Sequence, residues 1–180
     1  MDRDPLDEVY SFVERTYFRL QAGDVLNRCL EDGTLKPIQL MIEQLILAGP
    51  RSLNALREIR EEVDQRKAQV QEDLHQILKD FEQSLGSYGV AFHERRVEEV
   101  VHMNRSSFVH FLNRQDINDK STRSACLRLL KDCRELIDSL SLRVKLLGEI
   151  ESYLQDWMWG VAVQSARQDV EKDDPAVSSQ

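Results

Sequence analysis

The chain has 180 residues, of which 41% are hydrophobic and 31% are charged, and its formal net charge is −8. This composition is typical of a folded globular protein, and the length allows a core that needs neither disulfides nor metals. The acidic charge disfavours binding to nucleic acid and to anionic membranes, because both select for Lys and Arg. We therefore expect no nucleic-acid partner, and a membrane partner is disfavoured.

Several features bear on the compartment. No stretch approaches the roughly 20 apolar residues that a membrane-spanning helix needs. The first eight residues are acidic and resemble neither a secretory signal nor an Arg-rich transit peptide. The three cysteines, Cys29, Cys126 and Cys133, are few and odd in number, which fits free thiols in a reducing compartment. We therefore expect a cytoplasmic protein.

The N-terminal residues predict two consecutive helices. Asp4 and Pro5 form a typical helix start, and the first helix is expected to end near Gly23. A short second helix follows from Asp24 to about Glu31. The first helix has one apolar face at helical spacing. This face consists of Leu6, Val9, Tyr10, Val13, Tyr17 and Leu20.

The next predicted helix, from Leu35 to Ala48, is capped by Thr34 and is apolar almost all round. Such a helix lies either in the centre of a bundle or beneath a partner. Burial between long helices and a subunit interface are therefore two open alternatives. The residues assigned to the interface alternative are Ile38, Met41 and Leu45.

A long charged helix is predicted from about Ser52 to Leu85, with an apolar seam that is interrupted at Arg66 or Lys67. Gly86 to Gly89 is the clearest turn of the chain. Another long helix is predicted from about Phe92 to Leu112.

The polar residues 113–120 then form a loop, and Asp119 or Ser121 is expected to cap the last helix. That helix, from about Ser121 to Arg167, has the strongest pattern in the chain. Apolar residues recur at alternating steps of four and three, and only Glu151 interrupts them. The positions are Cys126, Leu130, Cys133, Ile137, Leu140, Val144, Leu147, Glu151, Leu154, Met158 and Val161.

Together these patterns predict an all-α protein with coiled-coil-like seams. The expected architecture is an elongated, mostly antiparallel helical bundle with three long helices and shorter N-terminal helices. Residues 1–167 are expected to form one helical-bundle domain, and the acidic residues 168–180 a disordered tail.

A pair of Glu-x-x-His motifs raises the alternative of a metal site. Glu72 with His75 and Glu99 with His102 have the spacing that di-iron bundles use for ligands. At 100° per residue, however, all four side chains point away from the apolar seams of their helices. We therefore predict solvated side chains here and keep a metal-binding protein or a small bundle enzyme as the alternative.

Other chemical motifs are weaker. Residues 116–120 begin like a calcium loop, but Lys120, Ser121 and Leu127 stand where a ligand, a glycine and a glutamate are required. The sequence contains no phosphate-binding Gly-rich loop, no G-x-S-x-G motif and no zinc-type spacing of Cys and His. His93 and His110 read as surface residues. We predict no cofactor and no catalytic residue.

Residues 157–163 are aromatic and apolar on every face of the last helix. Trp and Met are enriched where proteins meet partners, although burial under the first helices is the competing explanation. We assign partner binding to Trp157, Met158, Trp159, Val161 and Val163, and expect Trp159→Ala to disrupt binding while preserving helix content.

The leading functional hypothesis is a non-enzymatic protein–protein interaction module, such as an adaptor, assembly factor or regulator. It acts through helix–helix packing with a protein partner, or by self-association as a homodimer or larger homo-oligomer. A metal-binding protein and a peripheral membrane protein that inserts Trp157 and Trp159 are the alternatives.

Overall fold

The structure is a computed structural model that describes residues 5–47, 52–92 and 95–172. These residues form helices joined by turns and contain no strand, so the predicted all-α class is confirmed. The helices are α1 (Pro5–Asp32), α2 (Lys36–Leu47), α3 (Ser52–Ser87), α4 (Val97–Val101), α5 (Arg105–Asn113) and α6 (Lys120–Lys172).

The chain forms two compact units. Unit 1 comprises Met1–Lys67 and Lys145–Gln180, and unit 2 comprises Ala68–Val144. The single domain predicted for residues 1–167 stays a prediction. Helix α6 continues to Lys172, five residues beyond its expected end at Arg167, and residues 173–180 of the predicted tail lie outside the described residues.

The predicted break near Gly23 is wrong, because α1 continues through it to Asp32. Gly23 is buried where α1 lies against α3, and a Cβ atom there would stand 3.4 Å from Arg66 Nη2 and 3.5 Å from Glu62 Oε1. The glycine therefore marks a helix contact. The chain turns at Gly33 instead, which has φ of 65°.

The prediction of one long helix from Phe92 to Leu112 is also wrong. In place of one helix, the described residues of this range contain the two short helices α4 and α5, separated by residues 102–104. Asn104 is extended, and its side-chain oxygen accepts a 2.8 Å hydrogen bond from Ser107 N–H. An Asn in this role starts a new helix, so it cannot lie inside one. The three longest described helices are accordingly α1, α3 and α6.

A predicted turn and a predicted helix cap are confirmed. After α3, Gly89 has φ of 87°, and Val90 N–H donates to the Leu85 carbonyl at 3.1 Å. At the start of α6, Asp119 accepts a 2.8 Å hydrogen bond from Thr122 N–H. The hydrogen bonds from Thr122 lower the pKa of the Asp119 carboxyl group.

Unit 2 has a continuous apolar core, to which α3, α4, α5 and α6 all contribute. The seam residues Cys126 and Cys133 are part of it, and both are buried free thiols. Burial raises the pKa of both thiols, that of Cys133 to about 11. The other buried members are Phe81, Leu85, Val90, Val100, Val101, Met103, Phe108, Leu112, Ile117 and Leu130.

Unit 1 contains α1, α2, the first part of α3 and the last part of α6. In this unit the two interrupted seams meet, because Lys67 Nζ lies 2.6 Å from Glu151 Oε2. The two charged residues that interrupt the apolar seams of α3 and α6 therefore pair with each other. The buried residues of these parts of α3 and α6 include Leu56, Ile59, Val63, Leu147, Ile150 and Leu154.

Helices α1 and α3 run in the same direction within unit 1. Arg19 pairs with Glu58 at 2.5 Å, and Gly23 lies next to Glu62 and Arg66, so the contacts advance together along both helices. Helix α2 packs against α1, with Cys29 of α1 and Ile38 of α2 both buried. This arrangement fixes which face of α1 is covered.

Candidate interaction surface

The apolar face predicted for the first helix lies on the outside of α1. Its six residues are between 58% and 74% exposed. Five of them form the α1 stripe, in which apolar side chains recur at steps of four, three, four and three, and Val9 lies beside it. The stripe consists of Leu6, Tyr10, Val13, Tyr17 and Leu20.

The stripe faces outwards because α3 and α2 pack on the opposite face of α1. Ala22, Leu26 and Cys29 are fully buried, and at 100° per residue they lie about 140–200° around the helix from the stripe. Arg19, on the same opposite side, forms ion pairs with Glu58 and Glu61 of α3. Helix α1 therefore has two apolar faces, of which unit 1 buries one.

The stripe has the area of an interaction surface. At roughly 100–200 Å² of exposed surface for each side chain, the stripe and Val9 present on the order of 700 Å². The largest apolar patch on a typical monomeric protein is about 300–600 Å². An exposed apolar area of this size marks a binding surface more often than it marks ordinary solvent-facing residues.

Charged residues end the stripe at its C-terminal side. Asp24 and Glu31 continue along the same line of α1 and are exposed. The stripe thus spans the 15 residues from Leu6 to Leu20, about 21 Å of helix. Tyr17 is held in place, since its ring lies 6.3 Å from that of Phe18 and its hydroxyl group accepts a 2.8 Å hydrogen bond from Gln21.

The sequence of α2 left open whether the helix is buried or lies at an interface, and the structure shows one buried side and one exposed side. Ile38 is fully buried in unit 1, whereas Met41 and Leu45 are half-buried. Leu40 and Leu47, on the other side of α2, are exposed. Of the three residues predicted for an interface, Ile38 therefore presents no surface to a partner in this structure.

The segment 157–163 also contains both exposed and half-buried residues. Trp159 is 72% exposed, so the first helices do not bury it. Trp157 is half-buried and its ring lies 6.3 Å from the ring of Tyr153, one turn earlier in α6. Met158, Val161 and Val163 are also half-buried. Trp159 is the most exposed of the five residues predicted to bind a partner.

The side chains of the Glu-x-x-His motifs are all exposed. Glu72 and His75 lie on α3, Glu99 lies on α4, and His102 directly follows α4. In the part of the chain that the structure describes, no three His, Cys, Asp or Glu side chains are grouped so that they could hold a metal ion. His110 is exposed, and His93 lies outside the described residues.

Sequence reasoning found the stripe residues but did not identify them as a surface. The available signal was a second apolar set, Ala22, Leu26 and Cys29, in the same continuous helix but on a different face. The wrongly predicted break at Gly23 concealed this relation.

Among the described helices, none is both long and apolar enough to cross a membrane.

Comparison of the chain with known proteins gave no match to a protein-family model, to a curated protein or to a solved structure.

Proposed function

We propose that this protein is a non-enzymatic interaction module that binds a helix of a protein partner along the α1 stripe. The observation that carries the proposal is the exposure of five heptad positions on one face of a helix whose other face is packed. An apolar stripe with this spacing is the side that one helix presents to another.

The energetics favour a bound stripe. At about 25 cal/mol per Å², removal of some 700 Å² of apolar surface from water contributes roughly 15–20 kcal/mol before costs. Association costs about 4–15 kcal/mol in lost translational and rotational freedom, with further costs for ordering side chains. The stripe and Val9 together therefore offer enough surface for a stable complex, and Tyr10 and Tyr17 are of the residue type that dominates such interfaces.

The exposed Trp159 supports a second contact with the partner. Its indole ring is large and lies on the outer side of α6 in unit 1. Adaptor, assembly-factor and regulatory roles all fit binding through these surfaces. We also propose a cytoplasmic location, supported by the three cysteines, all of which are free.

The test is a quantitative pull-down from native lysate with four baits: the wild type, Val13→Asp, Trp159→Ala and Leu142→Asp. Leu142 is the control, because it is as exposed as the stripe residues but belongs to unit 2. We expect a near-stoichiometric partner that is lost with Val13→Asp, weakened with Trp159→Ala and retained with Leu142→Asp. Far-UV circular dichroism checks that all baits keep their helix content.

Two results would contradict the proposal. One is a partner that all three variants retain, which would place binding elsewhere. The other is flotation of the wild type, but not of Val13→Asp, with neutral or anionic vesicles, which would make the stripe a membrane-binding face.

A further inference from the structure

We infer that the helix bound by the α1 stripe is α1 of a second copy of this chain, packed antiparallel across a two-fold axis at Val13. This inference rests on the proposed function and names its partner. Three properties of the stripe support it: its residue order, its area and its length.

The order of residues in the stripe is the same in both directions. From Leu6 to Leu20 it is Leu, Tyr, Val, Tyr, Leu. A two-fold axis through Val13 places Val13 of the two copies together, Tyr10 opposite Tyr17 of the other copy, and Leu6 opposite its Leu20. The smallest side chain thus lies at the crossing point, where the two helices approach most closely, and the larger ones lie further out.

The area matches that of a stable dimer. Two copies of the stripe with Val9, each on the order of 700 Å², bury up to about 1,400 Å² in total, within the range of about 1,200–2,000 Å² for specific interfaces. The Tyr10–Tyr17 pairs also bring aromatic rings together on both sides of the axis, and each such pair contributes about 0.5–1.5 kcal/mol beyond its area.

The length of the stripe is compatible with the same occupant. Asp24 and Glu31 limit the apolar surface to about 21 Å, and a second stripe has this length too. A longer apolar helix would place its end against these carboxylates. In an antiparallel pair, the positive end of each helix dipole lies beside the negative end of the other, so the two dipoles attract each other.

Sedimentation equilibrium of the purified chain tests the association. We expect the wild type to be a dimer and Val13→Asp to weaken it at least about 100-fold, because the axis would bring two unpaired carboxylates together in a desolvated site. Leu40→Asp and Leu142→Asp, both exposed outside the stripe, are expected to remain dimers. Unchanged far-UV circular dichroism separates loss of the interface from unfolding.

Disulfide cross-linking tests the direction and the register. Val13→Cys is expected to cross-link to itself under mild oxidation, because the two thiols meet at the axis. Leu6→Cys alone and Leu20→Cys alone are expected not to cross-link. In each case the two introduced thiols, one in each copy, lie roughly 20 Å apart along the direction of the helices. A mixture of these two variants is expected to give the cross-linked heterodimer. The wild type, whose three thiols are buried, is the blank.

Each other outcome overturns the inference. A monomeric wild type overturns it, and the proposed function stands if the pull-down still finds a partner lost with Val13→Asp. A dimer that persists in Val13→Asp places the interface elsewhere. Cross-linking of Leu6→Cys alone shows that the helices are parallel. A monomer that also captures no partner overturns both proposals.

Discussion

The two units use the same kind of helix in different ways. In unit 2, apolar side chains from four helices meet in one core, with Phe108, Leu112 and Cys126 fully buried. In unit 1, helix α1 buries one apolar face and exposes another. Of the fourteen large hydrophobic residues that are exposed in the described part of the chain, ten belong to unit 1.

The difference teaches that an apolar helical face need not belong to the core of its own chain. Unit 2 covers most of its seam residues because α4 and α5 are short and are redirected by Asn104, so they fold over α3 and α6; the seam residue Val144 stays exposed. In unit 1, the side of α1 opposite to α3 stays exposed. Exposure there reflects how few helices are available to cover α1.

The largest expected effect is that of Phe108→Ala, for which Phe12→Ala is the control. We expect Phe108→Ala to lower the free energy of unfolding by about 3–5 kcal/mol, because it removes a fully buried ring from the unit 2 core. Phe12→Ala, the same change at an exposed residue of unit 1, is expected to change it by less than about 0.5 kcal/mol. Urea unfolding followed by circular dichroism measures both, and similar losses would remove the contrast between the units.

Two leucines sharpen the comparison within α1. Leu26→Ala is expected to cost about 2–5 kcal/mol, because Leu26 lies on the buried face. Leu20→Ala, on the stripe, is expected to cost less than about 0.5 kcal/mol when measured at a concentration at which the chain is monomeric. At higher concentration the cost of Leu20→Ala should rise, since the dimer then contributes to stability. Equal costs in dilute protein would show that the stripe is core.

The smallest expected effect concerns the ion pair of unit 1. The hydrogen bond from Lys67 lowers the pKa of the Glu151 carboxyl group below its usual 4.5, burial opposes this, and attraction to Lys67 and Arg60 adds to it. Because the folded state favours the ionised carboxylate, this contribution is present above pH 4.5 and is lost as the pH falls through the lowered pKa. Glu151→Gln is therefore expected to cost up to about 1 kcal/mol at pH 7 and nothing in acid.

The control for this pair is in unit 2. Lys131 Nζ lies 3.7 Å from Glu135 Oε1 on α6, and both side chains are mostly exposed. Glu135→Gln is expected to change stability by less than about 0.5 kcal/mol at any pH, because solvent screens this pair. Urea unfolding at pH 7 and at pH 3 measures both variants, and a cost of Glu151→Gln that does not depend on pH would contradict the assignment.

Sequence patterns predicted the local features of this protein well. The seam of α6 has buried residues at Cys126, Leu130, Cys133, Leu147 and Leu154, and its one interruption, Glu151, has a specific partner. The caps at Asp119 and the turn at Gly89 also follow from the residues themselves. Apart from the partner of Glu151, each of these features depends on residues within one or two helical turns of each other.

The errors in the prediction have a common cause. Gly23 and Asn104 each have more than one local meaning: a glycine ends a helix or fits a close contact, and an asparagine lies on a seam or caps a helix. Asn104 caps α5 by accepting a hydrogen bond from the nearby Ser107 N–H, whereas for Gly23 contacts with the distant residues Arg66 and Glu62 decided between the two meanings. The outward position of the stripe depended on the same kind of contact.

The sequence by itself determined the all-α class, the apolar faces of the helices and most of their ends, because periodicity and capping act over a few residues. The tertiary structure alone decided which apolar faces are covered. Coverage depends on which helices are close enough in space to pack, and a helix such as α1 with two apolar faces carries no local mark of the one that stays exposed.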